Sequence, residues 1–251
     1  MADPILGVLF DKDGTLVDYS ATWAPINVAA ACFAADGDPD LAEHLLRIGG
    51  HDPVTGRIAA GSLLAASHTI EIAQAWRNAG SPFTAAALTC ELDRIFTEGA
   101  AAAVAVPNVV QLFQELHGAG MRSGVATSDS VAGAHATLRT IGLDGLLDFV
   151  AGYDSGHGGK PEPGMATAFS KATGLPPYAL AMVGDNLHDI RMGRAAAFSL
   201  CVGVLTGTST RQDLEAEADH ILDDVTHLPH LLQHLGRWPS RQFDAGANPR
   251  G

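Results

Sequence analysis

The most constraining stretch of this chain is 5–18, Ile-Leu-Gly-Val-Leu-Phe-Asp-Lys-Asp-Gly-Thr-Leu-Val-Asp. Its first six residues are aliphatic or aromatic apart from one glycine, with no alternation of polar positions. That pattern predicts a strand buried on both faces, as in a parallel sheet. The run stops at two carboxylates, Asp11 and Asp13, followed by Gly14. In open α/β sheets the carboxyl ends of strands are where ligands bind. Asp-Gly alone would mark only a turn. Further downstream, three more polar segments follow apolar strand-like runs, and together they ask for more than a turn.

Those segments fall in an alternating pattern. Strands are predicted over 122–127, 149–152, 179–183, 199–204 and 220–222. Helices are predicted between and after them, over 107–117, 131–141, 163–173, 187–196 and 225–235. Such alternation predicts an α/β fold with a doubly wound parallel sheet and right-handed crossovers. Residues 18–104 break the pattern. They are alanine-rich, lack a convincing strand, and carry helical periodicity over 22–35, 40–48, 61–79 and 85–103. A Gly-rich joint, 49–57, lies among these helices. The expected organisation is a core of residues 1–17 and 105–237, a helical domain over 18–104, and a flexible tail over 238–251.

Charge narrows the function classes. The formal net charge of −13 argues against a nucleic-acid or anionic-membrane surface. A phosphate-bearing ligand would therefore need a local cation. Lysine is scarce, with only Lys12, Lys160 and Lys171 in the chain. Alternation along the strand puts Lys12 on the side away from Asp11 and Asp13, which leaves Lys160 as the site lysine. Cys32, Cys90 and Cys201 are odd in number and widely spaced, as expected in a reducing compartment. Neither a signal peptide nor an apolar run of about 18 residues stands out, so the expected location is cytoplasmic, without membrane or nucleic-acid partners.

Four strand ends carry the chemistry: Asp11 and Asp13; Thr127 and Ser128; Lys160 in Gly-Gly-Lys-Pro; and Asp185 to Asp189 in Gly-Asp-Asn-Leu-His-Asp. Acid pairs, hydroxyls and one ammonium suit phosphoryl transfer to a carboxylate. Asp11 is the expected nucleophile, forming an aspartyl-phosphate. Carboxylates alone repel a phosphate dianion, so a hard divalent cation, Mg2+, is expected among them. Asp11 and Asp185 are its natural ligands, with Asp189 in a direct or water-mediated role. Lys160 and Thr127 would neutralise and orient the phosphoryl oxygens, with the Ser128 hydroxyl and adjacent N–H groups beside them. Asp13 would protonate the leaving alcohol and then deprotonate the attacking water.

In order and rough spacing, Asp11-Lys12-Asp13-Gly14-Thr15, Thr127-Ser128, Lys160-Pro161 and Gly184-Asp185 with Asp189 resemble the four motifs of the haloacid dehalogenase superfamily. The chain is similar to its phosphoglycolate-phosphatase-like members with an alpha-helical cap. The resemblance implies a Rossmann-like three-layer core, a cap that closes over the substrate, and a magnesium-dependent phosphatase of small phosphomonoesters, whether phosphoglycolate-like or sugar phosphates. It also implies that the Asp13 backbone carbonyl ligates the metal. Dehalogenase members lack a second Asp two residues after the first, and Asp13 is present here. Phosphonatase-type members need a cap lysine, and residues 18–104 contain none. A sugar phosphomutase shares all four motifs and stays as an alternative, as does a non-catalytic ligand-binding member.

For substrate choice, Arg47, His51 and Arg57 in and near the Gly-rich joint are the candidates, Arg57 as a bidentate partner for a substrate carboxylate. His188 is expected to point away from the site, and Trp23 and Trp76 to belong to the apolar core of the helical segment.

Overall fold

The computed structural model describes residues 3–52 and 54–239. Its strands are β1 (Gly7–Phe10), β2 (Arg122–Ala126), β3 (Phe149–Ala151), β4 (Leu180–Gly184), β5 (Leu200–Val204) and β6 (His220–Leu222). They form one sheet of six strands in the order β3-β2-β1-β4-β5-β6, every pairing parallel. β1 lies inside this sheet between β2 and β4, which explains its unbroken apolar run. Val8 and Phe10 pack on one face with Val125, Val183 and Val202. Leu9 packs on the other with Ala126, Met182 and Cys201.

Helices cover both faces. α6 (Val109–Gly118), α7 (Val131–Thr140) and α11 (Leu228–His234) contribute Phe113, Leu138 and Leu232 to the first face. α8 (Gly164–Thr173), α9 (Leu187–Ala195) and the short α10 (Arg211–Leu214) contribute Phe169, Ile190 and Leu214 to the second. The result is the three-layer Rossmann-like α/β architecture expected from the alternating pattern.

Between β1 and β2 the chain builds α1 (Tyr19–Ala34), α2 (Pro39–Ile48), α3 (Leu63–Ala66), α4 (Thr69–Asn78) and α5 (Ala85–Gly99). Side-chain caps start three of them: Asp18, Asp38 and Thr84 each accept from a backbone N–H in the first turn. These helices enclose their own apolar cluster, drawn from residues between Trp23 and Phe96. Trp76 is fully buried at its centre and donates its indole N–H to the Leu45 carbonyl at 3.1 Å. Chain exit and return lie side by side, with the Asp18 N–H donating to the Val104 carbonyl at 2.8 Å.

Some elements differ from expectation. The single helix over 61–79 is two helices, because Ser67 and His68 adopt extended backbone between α3 and α4. No glycine or proline announces that break. Ala100–Ala102 and Val225–His227 are 3-10 turns rather than continuous α-helix. α10 carried too little apolar periodicity to be expected. Of the expected tail over 238–251, residues 240–251 lie outside the described residues.

Truncating Trp76 to alanine removes a fully buried ring and its hydrogen bond to the Leu45 carbonyl, which keeps only the Gly49 N–H. The expected cost is about 3–5 kcal/mol of stability, read as a lower urea midpoint with little change in slope.

Candidate active site

The strand order reverses between β1 and β4, and the carboxyl ends of these two strands carry the acids. Asp11 follows β1, and its N–H donates to the Val183 carbonyl at 2.8 Å, which continues the ladder one residue past the strand. Asp185 follows β4. Asn186 then caps α9 in a reciprocal box: its side chain accepts from the His188 N–H at 3.1 Å, and Asp189 Oδ2 accepts from the Asn186 N–H at 3.1 Å. The box fixes Asp189 so that its other oxygen accepts from Lys160 Nζ at 2.6 Å. Lys160 Nζ also donates to Asp11 Oδ1.

Asp185 is held from a loop that sequence reading missed. The Thr208 N–H donates to Asp185 Oδ2 at 2.9 Å. A Cβ on the preceding Gly207 would sit 1.9 Å from that same oxygen, so only glycine allows the approach.

Asp11, Asp185 and Asp189 each offer a carboxylate oxygen, and these oxygens lie within 4.8 Å of one another. All three residues are buried. Burial pushes the Asp11 carboxyl up to about 7; Asp189 and Asp13 add to the rise, and Lys160 opposes it. Burial likewise raises Asp185 well above the usual carboxylate range, helped by Asp11 and Asp189. Burial by itself would lower Lys160, but Asp11 and Asp189 outweigh it and raise its ammonium above the ordinary range. One ammonium among three carboxylates leaves an excess of buried negative charge, which a divalent cation with oxygen ligands would neutralise. The donor set therefore fits a divalent metal. Asp11 and Asp185 would hold it, whereas both oxygens of Asp189 are engaged by Lys160 and the Asn186 N–H.

Asp13 is positioned separately. Its Oδ1 accepts from Lys12 Nζ and from the Trp23 indole N–H, each at 2.7 Å. Lys12 thus corrects the expectation that it points away from the acids. Strand geometry ends at Phe10, and the backbone turns at once, with the Leu16 N–H donating to the Lys12 carbonyl at 2.8 Å. The side chain is fully buried, reaches Asp129 Oδ2 at 3.2 Å, and lies over the Trp23 ring. Trp23 likewise is not merely core of the helical segment; it touches Asp13 and packs edge-on against Phe96.

The cleft between sheet edge and helices is lined on the core side by Asp11, Asp13, Thr127, Ser128, Lys160 and Asp185. Thr127 is buried at the end of β2, and Ser128 Oγ donates to the Ala66 carbonyl at 3.2 Å, joining core to helical segment. Across from them stand Tyr19, Trp23, Asn27, Thr69, Ile72 and Phe96.

Arg47, His51 and Arg57 are not among the residues lining this cleft. Arg47 is exposed at the end of α2 and pairs with Glu43 one helical turn earlier. His51 and Arg57 sit in the joint, which folds back on itself through a bridge between His51 and Ile58. His188 also departs from expectation: it lines the cleft, with Nδ1 buried and unpartnered. The first turn of α9 follows Asp185 so closely that its second residue still faces the site.

A model of haloacid dehalogenase-like hydrolases matches residues 5–197, well over half of the chain. The chain belongs to this family. Among curated relatives, this haloacid dehalogenase-like hydrolase is 34% identical over 137 residues to a protein of Dickeya dadantii named probable phosphatase IndB, covering 53% of this chain and 59% of that one. The chain spans about half the length of the first such relatives it matches. It is also 28% identical to N-acetylmuramic acid 6-phosphate phosphatase of Pseudomonas aeruginosa, over 90% of this chain and 93% of that one. The fold matches that of CbbY from Rhodobacter sphaeroides, solved with phosphate, at 23% identity and a TM-score of 0.67, over 89% of this chain and 96% of that one.

Asp11 binds its proton more tightly in the folded chain than at the ordinary value of 3.8, up to about 7. Between those values the folded state holds more protons than the unfolded one, so this group's contribution to stability falls as pH rises. In chelator-treated protein, the Tm of the wild type minus that of Asp11→Asn is therefore expected to decline from pH 4.5 to pH 7.5. Added divalent cation should recover the loss in the wild type. A difference that is flat with pH would contradict the buried-acid account.

Proposed function

We propose that the chain is a cytoplasmic, Mg2+-dependent phosphatase that hydrolyses small phosphomonoesters through an aspartyl-phosphate. The observation that carries this reading is the pairing of Asp11, held by Lys160 at the sheet edge, with Asp13, held apart by Lys12 and Trp23. One carboxylate faces the cation site and the other does not, so two chemical jobs can be divided between them. The phosphatase names of the relatives agree with it. The three cysteines, all free, fit the reducing compartment of the proposal. In the same reading, residues 18–104 act as a cap domain over a core of residues 1–17 and 105–237.

The residues would act as follows. Asp11 attacks phosphorus, and the bond from phosphorus to the ester oxygen breaks. Asp13 gives its proton to that oxygen, and the alcohol leaves. A water then attacks phosphorus and gives its proton to Asp13, the bond from phosphorus to the Asp11 oxygen breaks, and inorganic phosphate leaves as the free Asp11 carboxylate is restored. Lys160 and the Thr127 hydroxyl hold the phosphoryl oxygens, with the backbone after β2 beside them. Mg2+ bound at Asp11 and Asp185 would supply positive charge where carboxylate and phosphoryl oxygens meet.

Asp11→Asn is expected to lower phosphate release from p-nitrophenyl phosphate by at least about a thousandfold with Mg2+ present. An undiminished rate would remove Asp11 as the nucleophile. Trp23→Phe deletes one of two donors to Asp13. It should lower kcat about tenfold on an alkyl phosphate while KM stays within about threefold. Equal losses in both parameters would make Trp23 a substrate contact instead.

A further inference from the structure

We propose that the leaving group accepted by this site is neutral and hydroxylated and is read by the Asn27 carboxamide, so that esters bearing a second negative charge are poor substrates. The inference deepens the phosphatase reading and rests on it.

Charge is the first argument. The helical side of the cleft is lined by Tyr19, Trp23, Asn27, Ser67, Thr69 and Phe96, together with aliphatic side chains. None of these is charged. Residues 18–104 contain Arg47, Arg57, Arg77 and Arg94, and none of the four lines the cleft. Arg47 is paired with Glu43, and Arg94 with Glu91 and Glu98. Arg77 reaches the Ser81 carbonyl, and Arg57 is exposed on the joint. Lys160 is taken up by the phosphoryl end of the site. Among the described residues, a carboxylate or second phosphate on the leaving group would meet no lysine or arginine on the helical side, and would lie in the field of Asp11, Asp13, Asp129 and Asp185, which Lys12 and Lys160 offset only in part.

The second argument is an unsatisfied polar group. Asn27 is only 2% exposed; its carboxamide neighbours the Tyr19 hydroxyl, which donates to the Leu64 carbonyl, and Nδ2 makes no hydrogen bond of good geometry. Asn186 Nδ2 and His188 Nδ1, which also line the cleft, are in the same condition. Leaving such polar atoms unpaired is costly, and a bound ligand with hydroxyl groups, which both donate and accept, would pair them. A carboxamide presents both donor and acceptor, which matches a hydroxyl, itself both.

Position is the third. Tyr19, Trp23 and Asn27 are spaced by four residues along α1 and so share one helix face. Trp23 touches Asp13, the group that meets the ester oxygen. Asn27 lies one turn, about 6 Å, further along the axis. It is therefore placed to reach the atoms attached to that oxygen rather than the phosphoryl group. Phe96 and Ile72 supply an apolar wall for the C–H face of a polyol or sugar ring.

The test compares matched substrates with Mg2+ present: glycerol 3-phosphate against 3-phosphoglycerate, and glucose 6-phosphate against both 6-phosphogluconate and glucose 1,6-bisphosphate. The neutral member of each pair is expected to have the higher kcat/KM by at least about tenfold. Asn27→Ala should cut that preference to about threefold or less, mainly by raising KM for the neutral member. Asn27→Arg should swing it toward the carboxylate. If the wild type hydrolyses p-nitrophenyl phosphate but turns over the doubly charged members as well or better, this inference is wrong while the phosphatase reading stands. A folded Asn27→Ala variant that keeps the full preference likewise overturns the role of Asn27. No hydrolysis of any ester overturns both.

Discussion

Everything in this molecule depends on keeping Asp11, Asp185 and Asp189 together around a single ammonium. Three buried carboxylates repel one another, and Lys160 compensates only part of that repulsion. Such a cluster persists only if the surrounding fold holds each member independently. Here each acid has its own anchor. Asp11 hangs on the end of the central strand, Asp185 on the Thr208 N–H, and Asp189 on the cap of α9. The raised proton affinity of Asp11 and Asp185 records the cost, and that same excess charge makes the place attractive to a divalent cation.

The second acid, Asp13, obeys a different constraint. It stands off the cluster, and both of its donors come from outside the sheet edge proper. Lys12 is the residue before it, and Trp23 belongs to α1, the first helix of the inserted segment. Further links cross between the two parts of the molecule: Ser128 to the Ala66 carbonyl, and the Tyr153 hydroxyl to Asp93. The helical segment is thus bound to the core at the places where chemistry is expected. Its first helix supplies one face to the cleft, and that face is uncharged.

Much of this was legible beforehand. A continuous apolar run ending in acids requires a central parallel strand, because no other setting buries both faces and frees the end. Alternating periods after residue 105 require a wound sheet, and sheet topology then gathers the strand ends. What failed did so for local reasons. Strand alternation does not extend to Lys12, which lies two residues past the end of β1 at Phe10. The helix over 61–79 was read through Ser67 and His68, where backbone conformation changes without a glycine or proline. Charge alone nominates Arg47 and Arg57, but a surface arginine satisfied by Glu43 or by water looks the same in sequence as one that reaches a ligand. In an alanine-rich helix a tryptophan such as Trp23 reads as core and an asparagine such as Asn27 as an ordinary polar position, so neither carries a local signal of the site.

The sequence by itself determined the sheet, the four strand ends and the family, since these rest on short-range patterns: an apolar period, a turn, a cap, a motif. Only the tertiary structure decided which way the inserted helices face. That choice placed Tyr19, Trp23 and Asn27 in the cleft and left the arginines at its exterior. The physical reason is that α1 has no strong apolar face of its own to dictate its orientation. Its rotation is set by packing against the other helices and by the hydrogen bond from Trp23 to Asp13, and neither can be read from local spacing.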